Sequence, residues 1–207
     1  MTCPDWSHDA PSSRGGSSRS DAAVAYRNAM NCAGADQPIT PEGCRDWHRT
    51  VFSSVVPVNY YAGNFRQSAP TIPCLAVDVE VGGLRGSDHA TVIPDVERLC
   101  SDFNREWLAL SREWHAYSAS ERSINAATVI GILIGRFVQI HPFLNGNGRI
   151  SRIIWAFALR RAGVNPQVRI RLRPRGPAYG AAMAAAMKGD FREAQAMVLR
   201  HLARSPI

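Results

Sequence analysis

Residues 141–152 read HPFLNGNGRISR. The stretch lies between two apolar segments with helical spacing, Ala126–Ile140 before it and Ile150–Ala162 after it, so it reads as a loop joining two helices. Pro142 breaks the first helix and stiffens the turn. Gly146 and Gly148 let backbone N–H groups come close to an anion. The start of the second helix adds unpaired N–H groups and a positive dipole end. Arg149 and Arg152 add full charge on the first turns of that helix. These parts make a phosphate cradle. His141, at its lip, is the side chain there that can work as a general base near neutral pH.

Working outward, the helix before the loop carries Ile124, Ala127, Ile130, Ile134 and Phe137 on overlapping faces, with Ser120 as its cap. It is apolar nearly all round, as a buried central helix should be. A helix from Pro94 runs through Val96, Leu99, Phe103 and Leu110, with Trp107 and Trp114 as core aromatics. Leu75–Val81 alternates with period two, which predicts a half-exposed strand, and Gly82-Gly83 marks a turn before a returning strand at Ala90–Ile93. Asp21–Cys32 reads as a first helix; Pro41 or Glu42 opens the next, with Trp47, Val51 and Phe52 on its apolar face and Pro57 at its end. On the far side, the second loop helix stops at Gly163. Val168, Ile170 and Leu172 then alternate with Arg169, Arg171, Arg173 and Arg175. That pattern is either an extended edge with a solvated charged face or a stripe that holds nucleotide, nucleic acid or an acidic partner. Ala178–Lys188 and Phe191–Ala203 close the chain as helices, the last capped by Asp190 with Glu193 in the capping-box position. The fold class is therefore all-α, a helical core with one small β-hairpin. Residues 1–20 are rich in Ser, Gly, Asp and Arg and read as a disordered tail, leaving 21–207 as one domain.

A net charge of +7 favours acidic partners such as nucleotides. The five cysteines, Cys3, Cys32, Cys44, Cys74 and Cys100, are odd in number, widely spaced and contain no CxxC. That argues against a zinc site or a disulfide framework and for a reducing compartment. The N-terminus has no apolar core of the signal-peptide kind, and the most apolar stretch, Ala126–Ile134, is too short to span a bilayer. A cytoplasmic location follows, with export as an effector behind the Ser-rich leader as the alternative; no membrane partner is expected.

The string at 141–152 resembles the signature of the Fic family, HPFx[D/E]GNGRxxR, at every fixed position but one. The resemblance extends over residues 40–205. Gly63, Phe65 and Arg66 match a G-x-[YF]-R element, the hairpin matches the flap that overhangs the loop, and Tyr179–Ala182 followed by Gly189-Asp190 matches the closing helices. It implies a protein adenylyltransferase that moves AMP from ATP to a Ser, Thr or Tyr hydroxyl of a target protein. His141 would be the base and Phe143 the anchor of the loop in the core. Gly146, Asn147 and Gly148 would face the donor phosphates, with Asn147 adding side-chain hydrogen bonds. Arg149 and Arg152 would clamp the leaving group. Val77, Val79, Val81 and Gly82 of the flap would pin the target segment by strand addition. Asn145 stands where the family has Asp or Glu to hold Mg²⁺ against the phosphates, and one neutral oxygen is a weak ligand for that ion. Asp78 or Glu80 near the flap could substitute. Asn145 also leaves open a degenerate domain that binds nucleotide without turnover, or transfer of another phosphate-containing group. No inhibitory [S/T]xxxE[G/N] motif occurs, so the restraint seen in many relatives is absent or comes from a separate antitoxin-like protein. A homodimer is open, and a nucleic-acid partner is ranked last.

Overall fold

The computed structural model describes residues 3–6, 15–67, 72–166 and 177–204. Among these residues the chain forms seven α-helices and one two-stranded hairpin. They are α1 (Gly15–Gly34), α2 (Pro41–Phe52), β1 (Glu80–Val81), β2 (Leu84–Arg85), α3 (Val92–Glu113), α4 (Ala119–Ile140), α5 (Asn147–Arg161), α6 (Pro177–Met187) and α7 (Arg192–Leu202). The mainly helical class with a small hairpin is as expected.

Local chemistry sets the ends. Thr40 caps α2, its Oγ1 accepting from the Gly43 N–H at 3.0 Å, with Pro41 in the first turn. α4 starts at a full capping box built by Ser118 and Glu121, so the cap is Ser118 rather than the expected Ser120. α5 ends before Gly163, which takes φ +81°.

α4 is the axle, with α3, α5, α6 and α7 packed around it, while α1 lies on α2 and α5. It is 22 residues long with a mean hydropathy of 1.5, long and apolar enough to cross a bilayer. Here that apolarity serves the protein core, for Ala126, Ile130, Leu133, Ile134 and Phe137 are buried against other helices. Gly131 and Gly135 bring α7 close: a Cβ at either would stand 2.6 Å from Gln195 or Phe191.

Three expectations are corrected. The strand at Leu75–Val81 shrinks to Glu80–Val81, and its partner is Leu84–Arg85 rather than Ala90–Ile93. Gly82 and Gly83 both have positive φ (57° and 78°), so the chain turns back within two residues and the return strand follows at once; Thr91 already caps α3. The tail at 1–20 is not wholly without structure. α1 begins at Gly15, and Trp6 is buried in the core cluster. Cys3 and Cys74 form a disulfide across 71 residues of sequence. Only the fold brings them together, so their spacing carried no signal, and the ground for expecting a reducing compartment goes with it. Cys44 and Cys100 are buried thiols. The arginine stripe at 168–175 lies outside the described residues.

Alanine in place of an exposed helical glycine normally stabilises by about 1 kcal/mol. Gly131→Ala is expected to do the reverse, costing about 1–3 kcal/mol as α7 is pushed off α4. Urea unfolding reads the sign; a more stable variant would refute the close approach.

Candidate active site

His141 ends α4 in the left-handed region, φ 53° and ψ 59°, a conformation that costs a non-glycine residue about 1–2 kcal/mol. Hydrogen bonds hold it there. Its N–H donates to the Phe137 carbonyl at 3.1 Å, and its own carbonyl accepts from Arg66 Nε at 2.8 Å. The ring Nδ1 lies 3.3 Å from the Val138 carbonyl. A carbonyl only accepts, so Nδ1 carries the hydrogen and Nε2 the lone pair. Burial, opposed by the bond to Val138 and helped by the Arg66 charge, brings the imidazole down to about 4. His141 is therefore neutral at pH 7, the state a base must start from. An anion in the cradle would raise its proton affinity by the same coulombic rule.

Arg66 is the hub of the site. Its guanidinium is fully buried and donates to four carbonyls: His141, Val77, Ser87 and Ile140, at 2.8–3.0 Å. Its backbone N–H donates to Pro142 at 2.7 Å. One side chain thus ties both legs of the hairpin to the turn at His141.

Phe143 is fully buried, as its anchoring role requires. Asn147 departs from expectation. Its Oδ1 accepts from the Phe143 N–H at 2.9 Å and its Nδ2 donates to the Phe143 carbonyl at 2.7 Å. The side chain closes the loop on itself, its amide oxygen and one amide hydrogen both bonded to Phe143. Gly146 is the N-cap of α5 with φ 82° and provides no side-chain cap. A Cβ there would meet the Phe52 ring at 2.3 Å, so glycine is required twice over. Gly148 is exposed at the helix start. Arg149 and Arg152 are 5% and 4% exposed, one over the Phe52 ring at 4.8 Å and the other over the Tyr179 ring at 5.3 Å. Each guanidinium lies within cation–π range of a ring. The loop thus joins His141, at the end of α4, to a helix start without a side-chain cap and to two buried arginines on the first turns of α5.

His48 is a member of the site that the sequence reading missed. It is fully buried on α2 and stacks on Phe143 at 3.8 Å. Its Nδ1 accepts from the Gly63 N–H at 2.9 Å, so its Nε2 donates to the Asn145 carbonyl at 3.1 Å. Burial pushes it down to about 3. A polar residue on the apolar face beside Trp47 and Phe52 was the available hint.

The magnesium ion expected at residue 145 does not fit the residues present. Asn145 Nδ2 donates to the Trp6 carbonyl at 2.9 Å and Oδ1 accepts from the Gly146 N–H at 2.6 Å, so both ends of the amide are engaged. Asp78 is tied to Arg85 and His89, whose hydrogen bonds hold its carboxyl down to about 2. Glu80 sits exposed on β1. The flap valines Val77 and Val81 are exposed, Val79 is half-buried and Gly82 is at the tip.

The Fic/DOC family profile matches residues 38–159. A protein adenylyltransferase Fic of Drosophila yakuba is 32% identical over 149 residues, covering 72% of this chain and 25% of the relative. The chain thus spans about a quarter of the length of the curated relatives it matches. A Fic-domain signalling protein of Bacteroides thetaiotaomicron superposes with a TM-score of 0.61 at 19% identity, over 91% of this chain and 69% of that one. The BepC effector of Bartonella tribocorum, solved with bound AMPPNP, gives 0.57 at 16% identity, over 89% and 83%.

His48 binds a proton more weakly folded than unfolded, so its stabilising share is complete above its ordinary 6.5 and is lost as pH falls towards 3. Each such group gives up to about 1.4 kcal/mol per pH unit in that window. His48→Gln, which keeps one acceptor and one donor, is expected to flatten the fall in urea midpoint between pH 6.5 and 4. An unchanged slope would place His48 outside the loop's support.

Proposed function

The chain belongs to the Fic/DOC family, and on that basis we propose that it is a protein adenylyltransferase, moving AMP from ATP to a Ser, Thr or Tyr hydroxyl of a target protein. The observation that carries the reading is a neutral, hydrogen-bond-oriented His141 joined by a short loop to a helix start without a side-chain cap and two buried arginines on its first turns. His141 takes the proton from the attacking hydroxyl as that oxygen bonds to the α-phosphorus. The bond from that phosphorus to the bridging α–β oxygen breaks, and pyrophosphate leaves. Arg149 and Arg152 oppose the charge that grows on it, a contribution that acts on the rate because the charge develops in the transition state. The general base contributes roughly 10²–10⁴-fold. The exposed valines of the flap are the surface for a target segment added as a strand. The name of the Drosophila relatives and the AMPPNP in the Bartonella effector support ATP as donor.

A second reading rests on Asn145. With its amide engaged and no carboxylate offered at that position, the loop could hold nucleotide without turning it over.

Incubation with α-labelled ATP, Mg²⁺ and a cell lysate separates the two. The transferase reading expects a labelled protein band from the wild type that falls at least about 100-fold in His141→Ala, with ATP affinity kept. ATP binding without label, restored by Asn145→Asp, would favour the binding reading.

A further inference from the structure

We propose that Trp6, clipped in place by the Cys3–Cys74 disulfide, is a positioning residue for the phosphate-binding loop, so that the order of the loop follows the oxidation state of these two cysteines. Cys3–Trp6 is a short segment outside any helix or strand. Its contacts include a covalent bond, a hydrogen bond and a ring stack. The disulfide joins it to the turn at Pro73–Leu75, the Tyr61 hydroxyl donates to the Pro4 carbonyl at 2.8 Å, and the Trp6 ring stacks on Tyr61 at 5.9 Å.

The inner face of Trp6 meets the side chains that back the loop. Its ring lies edge-on to Phe52 at 5.5 Å and to His48 at 5.9 Å. Phe52 fills the space that Gly146 leaves open and underlies Arg149. His48 holds the Asn145 carbonyl. The Trp6 carbonyl accepts from Asn145 Nδ2. Removing the ring would open a gap behind Phe52 and His48 and release Asn145, all on the loop's supporting side. The same contact gives the departure at 145 a physical reason. An amide donates to the Trp6 carbonyl, whereas a carboxylate would set acceptor against acceptor. Asn145 and the clipped segment suit one another.

The chemistry of release is thiol–disulfide exchange. A dithiol reductant supplies two electrons and two protons, closes to its own cyclic disulfide, and leaves Cys3 and Cys74 as thiols. Without the clip, the segment loses its one covalent tie to the turn at Pro73–Leu75 among the described residues, and non-covalent contacts must keep Trp6 seated. The inference rests on the proposed nucleotide site only for its effect on affinity; the order of the loop can be read without nucleotide.

Hydrogen exchange by mass spectrometry on the full chain is the test, oxidised and reduced by dithiothreitol, with the thiol state confirmed by mass. Peptides covering 141–148 are expected to exchange about tenfold faster on reduction while peptides in α3 stay protected. Cys3→Ser should show the fast loop without reductant and no further change with it. Trp6→Ala should match Cys3→Ser, and Trp6→Phe should keep most of the protection, since the indole N–H has no acceptor among the described residues. Loop exchange that is equal in both states would overturn the proposal. So would acceleration shared equally by α3, which would make the disulfide a staple of the whole fold. ATP affinity measured beside it is expected to fall with loop order. Failure of ATP to bind in either state would count against the nucleotide site and leave the exchange result to decide the clip.

Discussion

The guanidinium of Arg66, buried and bonded to four backbone carbonyls, is the contact on which the site depends. A buried charge is costly unless hydrogen-bonded, and burial already pulls this arginine down to about 10. The carbonyls of Ile140 and His141 belong to the end of α4, and an α-helix leaves its last carbonyls without partners. Arg66 supplies them from outside and spends its remaining donors on Val77 and Ser87, at either leg of the flap. A single side chain therefore ends the helix, supports the left-handed turn at His141 and fixes the overhanging hairpin. Bonds of this kind to a charged group contribute about 1.5–3 kcal/mol each, enough to offset the cost of the turn.

Behind that hub lies a second layer, aromatic rather than charged. Phe143 sits on His48, His48 on Phe52, and Trp6 closes the stack. Arg149 and Arg152 each lie over an aromatic ring within cation–π range. Preorganisation is the common logic, since donors already in place cost nothing to reorganise when charge develops.

The helices were legible because their signals are local. Pro41 and Gly163 mark ends, and the apolar girth of residues 124–137 marks the axle. The loop was legible because its chemistry sits in twelve consecutive residues. What escaped depends on distance in sequence. Cys3 meets Cys74, Trp6 meets Asn145, and His48 meets Gly63 and Asn145 through folding alone. The hairpin register was misjudged because alternation over 75–81 outweighed the Gly82-Gly83 turn, which fixes the return strand at Leu84. Asn147 shows the other limit: its type fits phosphate binding, but the tight turn at Phe143 claims both ends of its amide.

The central claim is that Arg66 and burial together hold His141 neutral in a fixed turn. The direct measurement is an NMR titration of the His141 ring in the wild type and in Arg66→Lys. The account predicts a wild-type midpoint near 4, moving up towards 6.5 in the variant as the turn loses carbonyl support and opens to water. A wild-type midpoint near 6.5, or one unmoved by the substitution, would contradict it.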